Sequence, residues 1–219
     1  MEIKLCVFDI AGTTVEDHNH VGQCLVEALA EVGLRPTIRQ LNAIMGMPKP
    51  VAIRMLLERA GVEAEVQDIY DDFEARMIRF YAEQPVRPIK GAPEAIGLLR
   101  DGGVKVFLDT GFASAVTRQV VARMGWEALL DGKVSSDEVE NGRPHADLVY
   151  LAMERAGVSD PKFVLKACDT PSDIGEGRAA GCGVVVGVLS GCHTRAELES
   201  HRPDYVLESV ALVPGLIGL

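Results

Sequence analysis

Beyond residue 91 the chain alternates short apolar runs with helix-length amphipathic stretches, and that alternation leaves few folds open. Ala92–Arg100, Ser114–Met124, Ala146–Ala156 and Ile174–Ala180 read as helices. Val104–Leu108, Val134–Ser136, Phe163–Ala167, Val184–Val188 and Tyr205–Leu207 read as strands. Strands that alternate with helices at this spacing cross over and run parallel, in a sheet covered on both faces. Near the start, the apolar run Leu5–Phe8 reads as one more buried strand, within residues 3–9, and it ends in a carboxylate, Asp9. In an open sheet of this kind ligands bind just past the carboxyl ends of the strands, so Asp9 stands where chemistry is expected.

Between that first strand and residue 85 the pattern is helical. His18–Val32 carries Val21, Cys24, Leu25, Ala28, Leu29 and Val32 at helical spacing and stops at Gly33. Thr37, with Gln40 three residues on, has the form of a capping box and opens a second helix. Met45-Gly46-Met47-Pro48 breaks it; Lys49–Ala60 follows, with Pro50 tolerated in the first turn, and a fourth helix runs from about Glu63 to Gln84. Pro85, Pro88 and Gly91 mark the return. The expected architecture is α/β. Residues 1–14 and 85–219 form a Rossmann-like parallel-sheet core, and residues 15–84 a small all-helical cap inserted after the first strand.

Twenty-two basic against 32 acidic residues leave a net charge of −10, which argues against a nucleic-acid partner and requires a local positive site for any anionic substrate. No apolar run is long enough to span a membrane and no secretory signal is evident, so a cytoplasmic protein is expected. The five cysteines form no CxxC pair, which fits a reducing compartment and neither a disulfide framework nor a zinc site.

Four polar clusters fall at or near strand ends: Asp9, Asp109-Thr110-Gly111, Gly142-Arg143-Pro144 and Asp169-Thr170-Pro171-Ser172-Asp173. Singly, each has a plainer reading. Asp109 reads as a turn former, Ser172 or Asp173 as a helix cap, and Arg143 as a surface cation. Together they are what phosphoryl transfer needs: a carboxylate nucleophile, further carboxylates for Mg²⁺, and a hydroxyl and a cation for the phosphate oxygens.

In this order the motifs Asp9-Ile10-Ala11-Gly12-Thr13, Thr110-Gly111, Arg143-Pro144 and Asp169-Thr170-Pro171-Ser172-Asp173 resemble those of the haloacid dehalogenase-like hydrolase superfamily with the small helical cap. The Glu176-Gly177-Arg178-Ala179-Ala180-Gly181 tail fits as well. The resemblance implies Asp9 as the nucleophile that forms an aspartyl-phosphate. It implies Thr110 as a hydrogen-bond donor to the phosphoryl group and Arg143 as the neutralising cation. Mg²⁺ would be held by Asp9, Asp169, Asp173 and the carbonyl of Ala11. Gly12, Thr13, Gly46 and Gly111 would line the substrate's place.

Phosphatases of that superfamily usually carry a second Asp two residues after the nucleophile, as acid for the leaving alkoxide. Here that position is Ala11. Phosphonatases, which cleave the C–P bond of phosphonoacetaldehyde, share this alanine in an Asp-x-Ala-Gly-Thr-Thr motif. They also use a cap lysine in a Met-Gly-x-x-Lys segment as the Schiff-base residue. Met45-Gly46-Met47-Pro48-Lys49 resembles that segment, and Lys166-Ala167-Cys168-Asp169-Thr170 resembles their Lys-Val-Gly-Asp-Thr. The chain departs from them at Ala52, where they carry His, at His145-Ala146, where they usually carry Pro-Trp, and at Cys168, where Gly is common. The implied activity is hydrolysis of a small phosphonate, with Lys49 forming an imine or only gripping the substrate anion. The alternatives are a phosphatase acting on a small phosphorylated metabolite without the second-Asp acid, and a catalytically weak ligand-binding protein. His18 and His20 could supply acid–base groups, against a plainer reading as exposed linker residues, and the His18–Val32 helix could pair across a homodimer.

Overall fold

The computed structural model describes residues 2–219. Six strands form one parallel sheet: β1 (Leu5–Phe8), β2 (Lys105–Thr110), β3 (Gly132–Ser135), β4 (Val164–Cys168), β5 (Val184–Val188) and β6 (Tyr205–Leu207), in the order β3-β2-β1-β4-β5-β6. Every residue of β1, β4 and β5 is buried, as strands covered on both faces must be. Side chains alternate between layers. Cys6 and Phe8 join the core shared with α5 (Ala92–Asp101), α6 (Ser114–Met124) and α10 (Val213–Ile217). Leu5 and Val7 join the core under α7 (Asp147–Ala156), α8 (Pro171–Ala179) and α9 (Arg195–Ser200). The chain leaves β1 for β2 and β3 on one side, then crosses to β4 on the other. The switch point therefore lies between β1 and β4, where such sheets open a crevice at their carboxyl ends.

Between β1 and α5 sits the helical insert: α1 (His20–Ala30), α2 (Ile38–Asn42), α3 (Lys49–Ala60) and α4 (Val66–Glu83). Ile69, Phe73, Met77 and Tyr81 recur every fourth residue along α4, so one stripe is buried. That helix packs on α1 and α3 and also on α6 of the core, with the Tyr81 ring 6.1 Å from that of Phe112. Val21, Leu25 and Leu29 of α1 are buried within the chain. The two connections to the insert run side by side. Glu16 N–H donates to the Arg87 carbonyl at 3.0 Å and Ile89 N–H to the Thr14 carbonyl at 2.9 Å.

Lys49–Ala60, Ser114–Met124, Val184–Val188 and Tyr205–Leu207 have the bounds expected from the sequence. Other elements differ. β2 continues through Asp109 and Thr110, which are buried strand residues rather than a turn. α8 begins at Pro171, because the Thr170 hydroxyl caps it by accepting from Asp173 N–H. α9 and α10, too short for a periodic signal, are additional; the Thr194–Glu197 capping box is the local mark of α9. All five cysteines are free thiols. No helix among the described residues is long and apolar enough to cross a membrane.

Candidate active site

The first strand ends in a tight return that aims Asp9 into the crevice. Asp9 N–H donates to the Ala167 carbonyl of β4 at 3.1 Å. The N–H groups of Thr13, Thr14 and Val15 all turn back to the Ile10 carbonyl, at 3.3, 3.0 and 2.9 Å. Gly12 sits at φ +84°, and a Cβ there would lie 2.6 Å from Asp169 Oδ2, so the turn tolerates only glycine. The Thr14 hydroxyl donates to the Asp9 carbonyl at 2.9 Å.

Arg143, from the loop before α7, reaches across this floor. Its Nη1 lies 2.8 Å from Asp9 Oδ1 and 2.6 Å from Asp173 Oδ1, its Nη2 2.9 Å from Asp109 Oδ1, and its Nε 3.2 Å from Glu176 Oε2. Beneath it, Lys166 of β4 is fully buried. Its ammonium is paired with Asp109, lies 2.9 Å from Glu176 Oε2, and is 3.6 Å from Asp173. Two cations thus serve four carboxylates, and burial makes each pairing obligatory. Burial would raise the Asp109 carboxyl, but Lys166 and Arg143 outweigh it and hold the group at about 2. Burial, reinforced by Asp109, lifts Glu176 to about 8. The Asp9 carboxyl is pushed up to about 7 by burial, with Arg143 pulling against it and Asp173 and Asp109 adding to the push.

This excess of carboxylate is chemically specific. Oxygens of Asp9, Asp109 and Asp173 lie within 4.8 Å of one another. Asp173 Oδ1 touches Arg143 outside hydrogen-bond alignment, and Glu176 Oε1 is buried without a donor. The Asp169 carboxyl is raised well above its usual range by burial and by Asp9 and Asp173, although the Thr13 hydroxyl donates to it at 3.2 Å. Crowded, under-neutralised oxygen donors of this kind fit a hard divalent cation such as Mg²⁺.

The insert closes over the cleft. Gly46 has φ +80°, and a Cβ there would fall on Thr170 Oγ1 and 3.0 Å from Asp173 Oδ2. A Cβ on Gly142 would lie 2.7 Å from Pro48 Cγ. Lys49 follows at the start of α3, buried, its amine 3.5 Å from the Met47 carbonyl and 6.0 Å from the centre of the Phe73 ring. Burial, with Arg143 as the next cause, lowers the Lys49 amine to about 8.

Asp9, Ala11, Gly12, Gly46, Lys49, Thr110, Gly111, Arg143, Asp169 and Asp173 all line one cleft of about 490 Å³, measured to its open mouth. Thr13 does not line it; that side chain is fully buried and holds Asp169 instead. His18 is exposed beside Glu16 at 3.2 Å, and the His20 ring stacks 4.3 Å from Phe80; neither lines the cleft. Ala52 is buried in α3 and lines no part of it. Sequence reasoning passed over Asp17, which lines the cleft, and the Asp109–Lys166–Glu176 network. The network had a signal: charged residues inside apolar strand runs need buried partners. Asp17 had none in its local sequence.

The sequence profile of the haloacid dehalogenase-like hydrolase family matches residues 6–187, and the chain belongs to that family. It is 29% identical over 255 aligned positions to the phosphonoacetaldehyde hydrolase of Bordetella pertussis, covering 100% of this chain and 92% of the relative. Among solved structures it is similar to a phosphonoacetaldehyde hydrolase-like protein from Oleispira antarctica, with a TM-score of 0.88, 22% identity, and coverage of 99% of this chain and 92% of that one. A hydrolase from Pseudomonas syringae gives a TM-score of 0.88 at 20% identity, covering 99% of both chains. The protein is a hydrolase.

Proposed function

We propose that this chain cleaves the C–P bond of a small phosphonate of the phosphonoacetaldehyde type, with Asp9 as nucleophile and Lys49 as Schiff-base residue. The observation that carries the reading is the Lys49 amine: buried, lowered to about 8, and lining the same cleft as Asp9. A carbanion leaving group needs an electron sink, and an iminium on Lys49 would take the C–P electrons as an enamine. Asp9 would accept the phosphoryl group as an aspartyl-phosphate, which water then hydrolyses. Arg143, in contact with Asp9, would offset the repulsion between carboxylate and phosphonate dianion, while Thr110 would hydrogen-bond the transferring oxygens. Asp9, Asp169, Asp173 and the Ala11 carbonyl would hold Mg²⁺, which supplies further charge neutralisation when bound. Residues 15–84 would act as the cap that excludes water and carries Lys49 to the site. Free, mostly buried thiols support a reducing, cytoplasmic setting.

Borohydride added to the protein with phosphonoacetaldehyde should leave a reduced adduct on Lys49, located by peptide mass spectrometry. Turnover of that aldehyde without an adduct would reject the imine. Ala52, standing where phosphonatases carry His, favours a second reading: hydrolysis of a small phosphorylated metabolite whose leaving group needs no acid. A phosphomonoester panel separates the two. Under the second reading Ala11→Asp raises alkyl-phosphate turnover, toward the ~10²–10⁴-fold that a positioned acid contributes.

A further inference from the structure

Asp17 stands out from the other residues of the cleft. It lies in the connection between β1 and α1, partly buried, and it lines the cleft together with Lys49 and Asp9. Its Oδ1 accepts Val21 N–H at 3.1 Å, which fixes the side chain at the start of α1. Among the described residues it has no ion pair. The titratable groups around it are Lys49 from α3, His20 and Cys24 of α1, Tyr81 of α4, and Asp169 and Cys192 from the core. Burial raises its carboxyl, partly offset by the Val21 and His20 N–H groups, and Lys49 is one of the cations that act on it. The cleft therefore brings together, in one lining but not in ion-pair contact, a buried amine and a carboxyl that burial favours in its protonated form, two groups that can exchange a proton through one intervening water. The two positions from which an acid–base group would be expected, Ala11 and Ala52, hold only methyl groups.

We propose that Asp17 is the proton-transfer residue of this site, serving the Lys49 amine as the imine forms. The inference rests on the Schiff-base reading above. Asp17 takes one proton from the Lys49 ammonium by way of one bridging water, and the freed amine adds to the aldehyde carbon. A second nitrogen proton passes to the former carbonyl oxygen. Asp17 then returns its proton to that oxygen, which leaves as water with the C–O electron pair while the nitrogen lone pair closes the C=N bond. One ammonium and one aldehyde give one iminium and one water, and Asp17 ends as a carboxylate.

The test is the rate of borohydride trapping at Lys49 with phosphonoacetaldehyde, in wild type, Asp17→Asn, Asp17→Glu and Asp17→Ala. The asparagine variant keeps an oxygen for Val21 N–H, so the start of α1 stays capped. Trapping should slow by about 10²-fold or more in Asp17→Asn. It should recover in part in Asp17→Glu, and added formate should restore it in Asp17→Ala, which a merely structural role would not produce. Wild-type trapping rates in Asp17→Asn, or no rescue by formate in a folded Asp17→Ala, would overturn the proposal. A wild-type protein that turns over the aldehyde with no adduct removes the Schiff-base reading itself and this proposal with it.

Discussion

Replacing Lys166 by Met tests whether the buried charge network holds the fold as well as the site. Lys166 has no exposed surface; its ammonium meets Asp109, lies 2.9 Å from Glu176 and 3.6 Å from Asp173. Methionine fills much of the same volume without charge, leaving Arg143 as the one cation among Asp9, Asp109, Asp173 and Glu176. Removing one partner of a buried pair costs about 3–5 kcal/mol, and a cation shared by several carboxylates belongs at the upper end. For a chain of this size each kcal/mol moves the melting midpoint by about 2–4 °C, so a fall of about 10–20 °C is expected. The double variant Lys166→Met, Asp109→Leu removes both charges and should regain most of the loss. The deficit also has a pH signature. Asp109, held at about 2 in the folded chain, contributes stability that is present above its unfolded value and lost as pH falls through about 2. The gap between wild type and Lys166→Met should therefore narrow toward that pH. Urea and thermal unfolding at matched pH measure it. A loss below about 1 kcal/mol, the range of an exposed pair, or a double variant no better than the single, would refute the reasoning.

Three further outcomes follow from the same geometry. Gly46→Ala places a Cβ on Thr170 Oγ1 at a positive φ, so the insert should lift off the core: kcat/KM falls at least tenfold by steady-state assay, while the circular-dichroism spectrum is kept. Glu176 binds its proton more tightly folded than unfolded, so wild-type stability should decline between about pH 4.5 and 8; Glu176→Gln should flatten that slope in urea titrations. Mg²⁺ should raise the melting temperature of the wild type and chelation should abolish turnover, whereas Asp173→Asn should lose the Mg²⁺-dependent shift in a thermal scan.

The periodic elements were legible because their signal is local. α3 and α6 have their full apolar spacing and end at Gly61 and Gly125, both at positive φ. That Asp9, Asp169, Asp173 and Lys49 would line one cleft was legible from their motifs, since those motifs stand at strand ends and at the break before α3. In sequence a charged residue after Leu108 looks like a strand end, so Asp109 has the local signature of a turn former. Only its partners, Lys166 on β4 and Arg143 in a distant loop, make a carboxylate tolerable inside β2. Asp17 and Lys49 line one cleft although 32 residues separate them, a relation no local window of residues contains.

The sheet order has a consequence for how this site comes into being. β1 pairs only with β2 and β4, and its Leu5 aligns with Lys105 on one side and Val164 on the other. Arg143 meets Asp9 across 134 residues of sequence, and Thr13 meets Asp169 across 156. Contacts this distant form late and are lost together. The cleft therefore gathers its residues only once the sheet extends through β4: a nascent chain that has not passed β4 lacks Asp169 and Asp173. In refolding, activity should return with completion of the sheet rather than with helix formation, which makes turnover itself a reporter of global folding.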